Sequence, residues 1–193
     1  SAFYIQLAAF LSAKNDYYNL RVAEIFAEMS AYDYAIKKFN TVNRDSFFYV
    51  RCQLGLADTL VRQEQGGAAQ EVLERLIDDG FDEFIIFDSL ADILRANEDY
   101  KTAIYYYDIA LRAITEDEVF TKWATFFVRG ISHDQSGDWA KAKIDLEKAL
   151  YLSPNHPEVL NYFGYSLIER NENLDEALKM IESAVSQRPD SGY

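Results

Sequence analysis

Small apolar residues recur at fixed offsets along this chain. Asp138 to Pro154 reads DWAKAKIDLEKALYLSP and Leu174 to Pro189 reads LDEALKMIESAVSQRP, so that Ala142, Ala149 and Pro154 return as Ala177, Ala184 and Pro189. A period of 34 to 35 residues on this pattern marks stacked helical hairpins, each a unit that cannot bury its apolar face alone. With the small residue of the second helix numbered 20, the same frame runs through the earlier chain. Position 20 is Ala35, Ala69, Ala103, Ala142 and Ala177, at steps of 34, 34, 39 and 35. Position 8, in mid first helix, is Ala23, Ala57, Ala91, Gly130 and Gly164; position 24 is Phe39, Leu73, Tyr107, Leu146 and Ile181. Small residues belong where two antiparallel helices approach closely, and large ones fill the space beside them. The pattern predicts helix pairs at 16–49, 50–83, 84–122, 123–156 and 157–193.

Counting one period back from Ala35 makes Ser1 to Lys14 the second helix of a truncated repeat, for about eleven helices in all. The expectation is a single array over 1–193, cut from a longer one. The 39-residue step places five additional residues near Thr115 to Phe120, enough to tilt the last repeats or lengthen a helix without splitting the array. An array end exposes core-type surface, here Met180, Ala184 and their apolar neighbours, which makes packing against another chain an expectation.

These residues resemble the tetratricopeptide repeat (TPR) family. GISHDQSGDWAKA with Pro154, and FGYSLIERNENLDEA with Pro189, carry the resemblance best, followed by ANEDYKTAIYYYDIAL. The chain departs from the pattern at position 4, where Asn19 and Gln53 replace a large aromatic, and at position 11, where His133 replaces Tyr. The resemblance implies an all-α, right-handed superhelical solenoid of antiparallel helix pairs, acting without catalysis or cofactor as a scaffold or adaptor. In that family positions 2, 5, 9 and 12 of the first helices line a concave groove. Carried onto this sequence, they are Tyr17, Leu20 and Glu24; Arg51, Leu54 and Asp58; Ile85, Asp88, Asp92 and Arg95; Phe127, Ile131 and Asp134; and Asn161, Tyr165 and Ile168. Each aromatic among them is either a groove contact or core. Such a surface suits a protein or peptide partner, extended or helical, with apolar anchors and basic character.

One subset of the family grips acidic chaperone tails with Lys and Asn. Here Leu20, Glu24, Leu54, Asp58, Asp88 and Asp92 stand in the corresponding places, which disfavours such tails. The run VLNYFGYSLIERNENLDEALKMIESAVSQRPDSGY is similar to late repeats of long tetratricopeptide adaptor proteins of Gram-negative bacteria. Some of those are exported lipoproteins that deliver substrates to periplasmic processing proteases, so the resemblance favours a periplasmic or envelope-associated setting over a cytoplasmic one. The residues themselves leave the compartment open.

Charge and chemistry narrow the function classes. A net charge of −13 opposes nucleic acid, which requires clustered Lys and Arg. No run of 18 apolar residues is present to span a bilayer. The single Cys52 excludes an internal disulfide and reads as a small apolar helix residue. Asp78, Asp79, Asp82 and Glu83 lack the alternating ligands and terminal Glu of a calcium loop. His133 and His156 stand in no zinc spacing with Cys52. Ser132, His133 and Asp134 are consecutive, and on a helix they point about 100° apart, which rules out a hydrogen-bonded triad. His133 reads instead as a partly buried, satisfied side chain. Two alternatives to the groove are self-assembly, through array ends or through Tyr105, Tyr106 and Tyr107, and service as the regulatory arm of a larger enzyme.

Overall fold

The structure, a computed structural model, describes residues 15–114 and 122–187. Ten helices and no strands occur among them: α1 Asp16–Glu28, α2 Tyr32–Phe39, α3 Tyr49–Arg62, α4 Gly66–Asp78, α5 Phe84–Ala96, α6 Tyr100–Arg112, α7 Trp123–Gln135, α8 Trp139–Leu152, α9 Pro157–Glu169 and α10 Leu174–Gln187. The all-α expectation holds, with two helices to each predicted repeat. The eleventh helix, expected over 1–14, and the additional residues near Thr115 to Phe120 lie outside the described residues.

The chain forms two compact units, Ser1–Asn97 and Glu98–Tyr193. In the first, α1 lies on α2 and α3 on α4, while α2 and α4 are covered by α3 and α5. In the second, α7 lies on α8 and α9 on α10, while α6 and α8 are covered by α7 and α9.

Local chemistry sets the helix ends. Asn15, Asp99 and Asp138 accept backbone N–H groups of Tyr17, Thr102 and Lys141 at 3.1, 3.3 and 3.2 Å, satisfying donors that an N-terminus leaves open. Pro157 occupies the first turn of α9, where its missing N–H removes nothing. Two residues past every first helix the backbone turns left-handed, at Ser30, Glu64, Glu98, Gly137 and Asn171. In four of these turns the next N–H reaches back five positions: Ala31 to Phe26 O, Gln65 to Leu60 O, Asp138 to His133 O and Glu172 to Leu167 O, at 2.8 to 2.9 Å. This Schellman closure folds the second helix back on the first. Only one of the five turns uses glycine. The last turn is one residue longer, with a second left-handed residue at Asn173. Helix α2 is short because Asn40 and Thr41 turn their side chains onto Ile36 O and Lys38 O at 2.9 and 2.7 Å and compete with the helical ladder.

The core follows the repeat frame. All five alanines at position 20 are 0% exposed, and Phe39, Leu73, Tyr107 and Leu146 at position 24 are buried beside them. Cys52 is buried, and its thiol is pushed up to about 12, by burial first and then by Asp16 and Glu24. It is an apolar core residue, as its place in the pattern suggested. Asn19 and Gln53, the polar residues at position 4, are buried as well.

His133 is 7% exposed, with Nε2 3.9 Å from Asp145 Oδ2. Burial lowers its pKa; Asp145 and Asp138 act against that, while Arg129 and Lys141 reinforce it. The unfolded imidazole protonates near pH 6.5, before the folded one does. Stability attached to this neutral imidazole is therefore complete above that pH and falls away below it, until the folded form also protonates. His133→Gln is expected to flatten the pH dependence of the urea midpoint between about pH 7 and 5, as followed by circular dichroism.

Candidate partner-binding groove

In the first unit the predicted positions divide sharply. Tyr17 is 48% exposed and packs edge-on to Tyr18 and at a tilt to Phe48. Leu20 is 1% exposed and belongs to the core, which corrects its expected place on the groove. It lies on the buried stripe with Ala23 and Ala27, three and seven residues on, because α1 is rolled inward over α2 and α3. Glu24 and Arg51 are committed to one another: Arg51 Nε and Nη2 donate to Glu24 Oε1 at 3.1 and 2.8 Å, joining α1 to α3, and Arg21 also donates to Glu24.

Four of the predicted residues are brought together. A cleft of about 520 Å³ between α3, α4 and α5 is lined by Leu54 and Asp58 from one first helix and by Asp92 and Arg95 from the next. Ala57, Val61, Leu73 and Ile93 supply its apolar walls, and Glu64, Gly66 and Asn97 close the end nearest the helix turns. Asp58 pairs with Arg62 at 2.9 Å and Asp92 with Arg95 at 3.7 Å, both along their own helices. Against those two guanidiniums stand three carboxylates, so the cleft and its rim stay net negative. Ile85 is exposed and Asp88 half-buried, and neither lines the cleft.

Repeat counting alone reaches Val61, which stands at position 12 of its repeat although it was not singled out beforehand. Glu64 and Asn97 carry no such signal; the left-handed backbone at Glu64 and the turn beyond α5 bring them in.

In the second unit the predicted residues are scattered. Phe127 meets Tyr162 edge-to-face at 5.9 Å and packs on the core of Leu146, Phe163, Leu167 and Ala177. Ile131 and Asn161 are half-buried, and Tyr165 and Ile168 are exposed. Asp134 requires correction as a groove acid, since its side chain is 8% exposed. Its Oδ2 accepts from Tyr162 Oη at 2.9 Å and Ser166 Oγ at 3.4 Å, and its Oδ1 accepts from Arg170. It is a bolt between α7 and α9. The Tyr162 phenol is pushed up to about 12, by burial foremost and also by the Asp134 charge, with a bond to Gln135 acting the other way. Arg170 lies 4.2 Å over the Trp139 ring, and Trp139 Nε1 and Lys143 Nζ both donate to Glu172 at 3.0 Å.

Among the described residues no three His, Cys, Asp or Glu side chains converge as a metal site, and no helix is long and apolar enough to cross a membrane.

The tetratricopeptide repeat family profiles match residues 54–118 and 125–156. The chain belongs to the tetratricopeptide repeat superfamily. As a TPR protein it is a protein–protein interaction scaffold, and TPR proteins are generally non-catalytic.

Solved structures share the fold at low identity. The chain is similar to one in the APC/C hetero-tetramer Cut9–Hcn1, with TM-score 0.81 and 18% identity over 99% of this chain. It spans only 37% of the length of that chain. MamA matches with TM-score 0.72 and 18% identity, over 89% of this chain and 97% of MamA. YrrB, a TPR protein with an unusual peptide-binding site, matches with TM-score 0.72 and 16% identity, over 99% of this chain and 95% of YrrB.

Proposed function

We propose that this TPR scaffold holds a protein or peptide segment with apolar anchors and a basic residue in the cleft between α3, α4 and α5. The observation that carries the reading is the gathering of Leu54, Asp58, Asp92 and Arg95, from two consecutive first helices, around about 520 Å³ of space. Leu54, Val61 and Ile93 offer apolar area, and one buried leucine or phenylalanine contributes about 1.5–3 kcal/mol there. Asp58, Glu64 and Asp92 outnumber the local cations and select the orientation in which a Lys or Arg meets them. Continuity of all five repeats as one array rests on the repeat frame, and a bacterial envelope setting on the resemblance of residues 159–193; both belong to the same proposal.

The test is fluorescence anisotropy with a panel of labelled peptides, each carrying one Leu or Phe anchor and a Lys or a Glu at successive offsets. Lysine peptides are expected to bind, and Asp58→Lys with Asp92→Lys to weaken them at least about tenfold, or ~1.4 kcal/mol. Both carboxylates are more than half or about half exposed, so helicity should not change. Equal binding of lysine and glutamate peptides, or equal binding by the variant, would sink the reading.

A further inference from the structure

The cleft between α3, α4 and α5 has a filled counterpart in the same chain. Aligning Ala69 with Ala142 pairs α3 with α7, α4 with α8 and α5 with α9 in one register. Gly66 and Trp139 then both open a second helix, and Asn97 and Arg170 both follow directly on a first one. Gly66, Ser89 and Asn97 line the cleft, and Trp139, Tyr162 and Arg170 stand in their places in the second unit. There Arg170 lies 4.2 Å over the Trp139 ring, that ring packs on the core beside Phe163, and Tyr162 and Arg170 both donate to Asp134. An indole, a phenol and a guanidinium close the space between α7, α8 and α9.

The first unit supplies none of the three. A Cβ placed on Gly66 would meet only Asn97 Oδ1 among the described residues, at 4.0 Å, and about 520 Å³ stands open around it. This opening owes nothing to either end of the chain, since it lies between consecutive repeats with α1 and α2 before them and α6 after.

The side chains that fill the counterpart define what fits the cleft. A ring entering where an indole on Gly66 would stand finds Ala57, Leu73 and Ile93 as its walls, and an aromatic side chain buries about 150–250 Å². A guanidinium over that ring adds cation–π attraction. Charge points the same way. Asp58, Glu64 and Asp92 line the cleft where the counterpart has Ile131, Gly137 and Tyr165, while Val61 occupies the place of Asp134. The internal acid that holds Arg170 is thus missing, and three carboxylates face the open space instead, against Arg95 as the one cation of the lining. Resting on the reading of the cleft as a peptide site, we propose that its preferred guest is a tryptophan with an arginine beside it. The ring enters over Gly66 and the guanidinium stacks on it among the three acids.

The experiment titrates the full chain with labelled peptides of one sequence whose anchor is Trp, Leu or Ala next to an Arg, read by fluorescence anisotropy. The tryptophan peptide is expected to bind at least about tenfold tighter than the leucine peptide, and the alanine peptide weakest of all. Glutamine in place of the arginine should weaken the tryptophan peptide and remove most of its salt dependence. Gly66→Trp, which supplies the ring from within, should cost at least about tenfold in affinity while the thermal midpoint by circular dichroism stays level or rises. Gly66→Ala, which adds only the Cβ, should bind like the parent. Should Gly66→Trp fail to fold, Ser89→Tyr closes the cleft from α5 and takes its place. Equal binding of the tryptophan and leucine peptides, or no loss when the arginine is replaced, overturns the guest named here and leaves the cleft as a peptide site. Undiminished binding by the filled variant, or no binding of any of the peptides, overturns both readings.

Discussion

Asp145→Ala is expected to remove about 3–5 kcal/mol from the stability of the Glu98–Tyr193 unit, seen as a lower urea midpoint by circular dichroism. Arg129 Nε and Nη2 donate to the two oxygens of Asp145 at 2.7 and 2.6 Å, and Nη1 donates to Asp108 at 2.7 Å. The side chains of Arg129 and Asp145 are only 17 and 5% exposed. Burial by itself would lower the arginine's pKa, yet the bonds and charges of Asp145 and Asp108 leave it raised. Without Asp145 a desolvated guanidinium retains one partner, and that partner is 38% exposed. Asp108→Ala should be much milder, about 1 kcal/mol or less, because solvent already screens that bond. Arg129→Met combined with Asp145→Leu should recover most of the loss, since removing both charges leaves neither unpaired. A loss below about 1 kcal/mol for Asp145→Ala, or a double variant no better than the single one, would show that the triad does not anchor α6, α7 and α8 in this way.

The repeat frame was legible because close helix approach enforces it: only a small residue fits where Ala35, Ala69, Ala103, Ala142 and Ala177 stand, and all are fully buried. Turn chemistry was less legible. Left-handed backbone at Ser30, Glu64, Glu98 and Asn171 lacks the glycine that usually signals it, and the Schellman bonds that close the turns at Ser30, Glu64 and Asn171 reach residues of any type. The groove was legible in part, because outward positions on a first helix follow from helical period, whereas their occupation by internal partners does not. Arg51 is 27 residues from Glu24, and Tyr162 and Arg170 are 28 and 36 from Asp134. Leu20 failed for a different reason. Position 5 faces outward or inward according to how far a first helix rolls against its neighbours, and spacing does not report that roll.

Gly164→Ala and Gly67→Ala, the same chemical change, are expected to act in opposite directions. A Cβ at Gly164 would stand 2.8 Å from Ile181 Cγ1 and 2.9 Å from the Ala177 carbonyl oxygen. The side chain can shift, but the carbonyl belongs to the α10 backbone, so relief requires α9 and α10 to move apart and Leu167 and Ala177 to lose close packing. Overpacking of this kind costs about 1–3 kcal/mol, against a gain in helix propensity of at most ~1 kcal/mol. The net expectation is a thermal midpoint lowered by several degrees, and Gly164→Val, with two more carbons at the same point, should lower it further. Gly67 has nothing within 4 Å of an added Cβ and an ordinary helical backbone. There alanine should raise stability by about 0.4–1 kcal/mol through the lower entropy of the unfolded chain. Differential scanning calorimetry of the three variants checks the pair. A Gly164→Ala protein as stable as the parent would mean that α9 and α10 do not meet as closely as the repeat pattern and the structure place them, and that the glycine at position 8 of the last repeat is dispensable.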